Sequence, residues 1–164
     1  MQSKNSTITV NDTAVLEMGE PLQMAFVPLN LLKEYREGQP AVPLIRDMES
    51  FLYPVLNKKN NRISGNITIS SAQGKWAGTA FATEARLFTD SVKDYIARHP
   101  ARYQLVSIIA FHTYFLSYTQ ENGLLFIPLR NDVQRKLFSG QPVKAELVLA
   151  RFVNMARNYN GKPL

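Results

Sequence analysis

The run covering residues 103–130, YQLVSIIAFHTYFLSYTQENGLLFIPLR, restricts the fold more than any other stretch of the chain. From Leu105 to Ser117 one alternating set reads Leu105, Ser107, Ile109, Phe111, Thr113 and Phe115; the other reads Val106, Ile108, Ala110, His112, Tyr114 and Leu116. Neither set is polar, and β-branched and aromatic residues dominate. That is the pattern of a strand covered on both faces. Asn122-Gly123 follows, a pair that accepts positive φ and favours a hairpin turn. Residues 124–129 supply the return strand, and Pro128, lacking an N–H for the ladder, places an end or an edge there. The expected fold class is α+β: an antiparallel sheet built around a central hairpin at about residues 104–129, with helices packed on it. A membrane-spanning helix needs about 20 consecutive apolar residues. Ser107, His112, Thr113, Ser117, Thr119 and Gln120 interrupt this run, which excludes such a span here.

The remaining elements follow from periodicity and breakers. Residues 6–10, 13–18 and 22–27 alternate and read as a small meander. Asn30 and Gly38 bracket a two-turn helix. Leu44, Ile45, Met48, Phe51, Leu52, Val55 and Leu56 recur at three-and-four spacing, which predicts a helix over residues 43–58 with a kink at Pro54. Residues 63–70 alternate Ile63, Gly65, Ile67 and Ile69 against Ser64, Asn66, Thr68 and Ser70, a strand with a polar outer face, and residues 76–81 return beside it. A second helix is expected over residues 84–98, capped by Thr83, and a short one over residues 132–138, capped by Asn131. Residues 142–158 fit either period; their Ala, Leu, Met, Glu and Arg content favours helix, with Ala145, Val148, Leu149, Phe152, Val153 and Ala156 inward. The length of 164 residues suits a single α+β domain over residues 1–164.

The chain has no cysteine, which excludes disulfides, thiol catalysis and zinc–thiolate sites. Its two histidines, His99 and His112, lack ligand spacing, so no metal site is expected, and no cofactor motif appears. No catalytic residue is assigned, and a non-enzyme is the expectation. The first residues carry no signal-peptide pattern, so the expected location is cytoplasmic.

The formal net charge of +6 directs attention to anionic partners, nucleic acid or an acidic protein. Nucleic-acid binding needs cations to displace phosphate counterions and aromatics on which bases stack. Lys58, Lys59 and Arg62 form one loop cluster, Lys75 adjoins Trp76, and Arg130, Arg135 and Lys136 form another; Arg151, Arg157, Tyr159 and Lys162 extend the pattern. The first expectation is a non-enzymatic accessory or binding protein, nucleic-acid-associated through these basic loops converging on one face. The alternative is a small-molecule-binding protein or enzyme with a pocket formed by His112, Tyr114 and Trp76. A third is a protein-interaction module presenting an apolar edge at residues 124–129. A lone histidine among apolar neighbours first suggests a hydrogen-bonded core residue, and scattered cations first suggest a solvated surface. The segment Gln73-Gly74-Lys75-Trp76-Ala77-Gly78-Thr79 has phosphate-loop composition without P-loop spacing, and a hairpin turn accounts for it.

Overall fold

A computed structural model describes residues 16–60, 62–81 and 88–161. The strands are β1 (Leu16–Met18), β2 (Leu22–Phe26), β3 (Arg46–Asn57), β4 (Arg62–Ala72), β5 (Lys75–Phe81), β6 (Gln104–Ile108), β7 (Thr113–Gln120), β8 (Gly123–Pro128) and β9 (Val143–Lys144). The helices are α1 (Leu29–Glu34), α2 (Asp90–Arg98) and α3 (Ala145–Asn158). The strands form one sheet in the order β5-β4-β3-β2-β6-β7-β8-β9, with β1 added beside β3. All pairings are antiparallel except β2 with β6. The fold is therefore mixed α and β around a large, mostly antiparallel sheet, with the parallel β2–β6 pair at its middle.

The long apolar run does not make one strand. It stops at Ile108, turns through Ile109–Phe111, and restarts at Thr113, so β6 and β7 pair with each other, Val106 opposite Phe115. β7 and β8 then pair across Glu121-Asn122, and the positive φ falls on Gly123 (+113°) rather than on Asn122. β8 is not an apolar edge, because Val143 and Lys144 cover Phe126 and Leu125.

Alternation along these strands builds two cores on the two faces of the sheet. Val106, Ile108, Phe115 and Phe126 join Ala25, Val27, Leu32 and Tyr35 under α3, which inserts Val148, Leu149, Phe152 and Ala156. Leu105, Leu116, Tyr118, Ile127 and Leu129 point to the other face, where α2 contributes Val92 and Tyr95. The inward residues expected of α3 are all buried.

The expected helix over residues 43–58 is a correction: Arg46–Asn57 is a twelve-residue strand. Pro54 would cost a helix interior about 3 kcal/mol. In the strand it sits where the neighbour of β3 changes from β2, ending at Leu22↔Leu52, to β1, starting at Met18↔Val55. No ladder N–H is required there, and the Pro54 carbonyl accepts from the Gly19 N–H at 2.7 Å. β1 pairs β3 rather than β2, so it forms no meander with β2; residues 6–10 lie outside the described residues.

α2 begins at Asp90, with Thr89 as N-cap accepting from the Val92 N–H. The expected cap Thr83 lies outside the described residues. The β4–β5 connection is a tight turn with Gln73 (φ +52°) and Gly74 (φ +75°), two positive φ values in succession that suit a two-residue hairpin. The expected short helix over residues 132–138 is absent. Asp132 and Leu137 instead exchange backbone hydrogen bonds of 2.7 and 2.9 Å around a tight loop, with Lys136 at φ +53°.

Candidate functional site

The site lies where β6 turns into β7 and where β8 runs into the 129–140 loop, at one end of the sheet. His112 is exposed at φ +48°, in the left-handed region, and its N–H donates to the Ile109 carbonyl at 3.1 Å. It is not the mid-strand core histidine the alternation suggested. Histidine is among the side chains that tolerate this backbone conformation better than β-branched ones. The turn is anchored by Phe111, whose ring stacks 5.9 Å from Phe152 of α3 and meets Tyr159 edge-on at 5.7 Å.

The facing loop is held at many points. The Ser139 N–H donates to Asn131 Oδ1 at 2.8 Å, Ser139 Oγ to the Leu129 carbonyl at 3.2 Å, and the Gly140 N–H to the Pro128 carbonyl at 3.1 Å. Asp132 receives the Arg135 N–H on Oδ1 at 3.1 Å and the Arg135 Nη1 on Oδ2 at 2.6 Å. The Arg135 guanidinium lies 4.9 Å from the Phe152 ring centre, and its Nη2 is 2.8 Å from Met155 Sδ. Arg151 clamps the loop from α3, donating to the carbonyls of Arg135 and Lys136 at 2.9 and 3.1 Å. Such bonding holds the loop through the protein's own side chains.

Between turn and loop lies a cleft of about 370 Å³. Buried Phe115, Leu129 and Leu137, with Pro128, contribute its apolar lining; His112, Tyr114, Arg130, Asn131, Asp132 and Arg135 bring polar groups, and exposed Val133 borders it. A second hollow of about 600 Å³ shares His112, Thr113, Asp132 and Arg135 and extends toward Met155 and Tyr159. The structure thus gathers two residues expected of a pocket, His112 and Tyr114, and two expected of a basic surface, Arg130 and Arg135. Lys136 and Arg151 are exposed beside them on the same loop and on α3.

The other sequence candidates lie elsewhere. Trp76 does not line this cleft. It is 59% exposed on β5 with its ring 6.2 Å from Phe51, five strand positions from β7, or roughly 24 Å at the usual spacing. Lys75 shares its strand. Lys58 and Lys59 occupy the β3–β4 turn at the opposite end of the sheet, about 36 Å along the twelve residues of β3. Lys58 pairs with Glu17 at 3.6 Å. Arg62 opens β4, and its side chain lies outside the described residues. The described members of the three basic groups therefore lie far apart on the sheet.

Sequence reasoning missed Asp132 and Asn131 as parts of the site. Their signal was an Asn-Asp pair three residues before an arginine, which suits a side-chain-closed loop as well as a helix start. Among the described residues no group of three metal-ligating side chains occurs, and no helix is long and apolar enough to cross a membrane. Comparison with known protein families, characterised proteins and solved structures finds no match to this chain.

Proposed function

We propose that the protein is a small-molecule-binding module whose ligand occupies the cleft between the His112 turn and the 129–140 loop. One observation carries this reading: polar side chains from two separate elements converge on a hollow of about 370 Å³, within the range of ligand sites. The loop's internal bonding supports it further, since a pre-ordered site loses less entropy on binding. Nothing in the cleft pairs a nucleophile with a base, so binding rather than catalysis is the function inferred.

Nucleic-acid association by three cooperating basic loops is the weaker reading, because those loops lie at different ends and edges of the sheet. The test is a fragment screen by thermal shift on the wild type and on Val133→Trp, a substitution at an exposed residue bordering the cleft. Fragments that stabilise the wild type and not Val133→Trp are the expected result. Stabilisation that is the same in both proteins, or absent in both, contradicts the proposal.

A further inference from the structure

The charged groups of the cleft are unequal in number, and that asymmetry bears on the ligand's chemistry. Asn131 has its Oδ1 engaged by the Ser139 N–H, which leaves its Nδ2 as the group it offers. Among the described residues, the Arg130 guanidinium, the His112 ring and the Tyr114 hydroxyl have no hydrogen-bond or ion-pair partner. Some acceptors are already engaged: each oxygen of Asp132 receives one bond from Arg135, and the Pro128 and Leu129 carbonyls receive Gly140 and Ser139. Arg135 is itself incompletely satisfied, because its Nη2 faces the thioether of Met155, a weak acceptor. Of the charged side chains that line the cleft, two are cations, Arg130 and Arg135, and one is a carboxylate, Asp132.

A concavity with an unpaired guanidinium and one more cation than carboxylate is complementary to an oxyanion, and charge-assisted bonds from guanidinium to oxyanion are the strong kind. Half-buried Tyr114 and exposed Val133 offer apolar surface to an organic body attached to that group.

We infer that the ligand is an organic oxyanion, a phosphate or carboxylate, with Arg130 as the residue that selects its charge. Arg130 is chosen over Arg135 because Arg135 is committed to Asp132. This inference rests on the cleft being a ligand site.

Calorimetric titration with phenyl phosphate, benzoate, benzyl alcohol and benzylamine separates the two ideas. The expected result is that at least one of the two anions binds tenfold or more tightly than benzyl alcohol, and that benzylamine does not bind. Arg130→Gln then weakens the anion tenfold or more and leaves benzyl alcohol unchanged, whereas Val133→Trp blocks both. The ranking of phenyl phosphate against benzoate tells which oxyanion the site prefers. If all four bind alike, block with Val133→Trp and ignore Arg130→Gln, the cleft reading stands and the oxyanion inference is overturned. If none binds, both are overturned.

Discussion

Asn66 is 2% exposed in β4, and neither end of its amide has a hydrogen-bond partner among the described residues. The strict alternation of residues 63–70 placed Asn66 on a solvated face, and Ser70 of the same set is instead bonded to Ser50 at 2.8 Å. An isolated strand pattern shows which residues share a face but not what covers it. An orphaned buried amide costs about 1–3 kcal/mol. Asn66→Val, which also suits a strand, is expected to leave stability unchanged or raise it by about 1 kcal/mol in urea denaturation. A loss above that size means the amide is satisfied.

Gly140 presents the opposite case. Its φ is +75°, and a Cβ there would lie 2.8 Å from both Cβ and O of Ser91 on α2. Gly140→Ala is expected to cost about 2–4 kcal/mol, from backbone strain together with overpacking. A change below 1 kcal/mol would show that the loop does not press on α2 in this way.

The tyrosines under α2 carry a pH dependence. Tyr95 and Tyr118 share a hydroxyl hydrogen bond, and Gln120 Nε2 donates to the Tyr118 oxygen at 3.2 Å. Burial first, then the Tyr95 hydrogen bond, raises the Tyr118 phenol well above its ordinary value, and burial raises Tyr103 likewise. In the unfolded chain these phenols ionise near 10. Their raised folded values therefore give stability that is complete below about pH 10 and lost as the pH climbs beyond it. Denaturation midpoints between about pH 9 and 11 should fall, and Tyr118→Phe should flatten the fall; an unchanged slope contradicts the assignment.

At the scale of elements, period and composition identified α3, the β4–β5 hairpin and the strand character of the apolar run. β3 was not legible, because its apolar residues satisfy helical spacing as well as alternation. The deciding facts were non-local: eight pairings with β4 and a change of neighbour at Pro54. The break at residues 109–112 was equally hidden, since no glycine or proline marks it and a left-handed His112 makes the turn. The 129–140 loop shows how side chains replace a helix. Asp132 closes it through Arg135, so Asp132→Ala should loosen the loop while both cores remain intact. Hydrogen exchange should accelerate at the Leu137 and Arg135 amides and stay unchanged in β6 and β7. Equal protection throughout would mean the carboxylate is not what orders the loop.

For the whole molecule, the sheet separates what the sequence listed together. Basic and aromatic residues were legible individually; their distribution depends on strand order and direction, which composition does not encode. β3 runs antiparallel to β2 and β6, which carries Lys58 and Lys59 to the end of the sheet opposite His112, and five strand positions part Trp76 from it. By contrast, the β6–β7 turn and the segment after β8 meet at one end because β6, β7 and β8 are consecutive neighbours. That meeting makes Arg130, distant from His112 in sequence, part of the same cleft. On the proposed function, recognition occurs there and not over a dispersed basic surface. The measurement that tests it most directly is amide chemical-shift mapping during titration with phenyl phosphate. Saturable shifts at His112, Thr113, Asn131 and Asp132, with none at Lys58, Lys59 or Lys75, are the predicted result. Shifts spread over all three basic groups, or confined to the β3–β4 and β4–β5 turns, would contradict it.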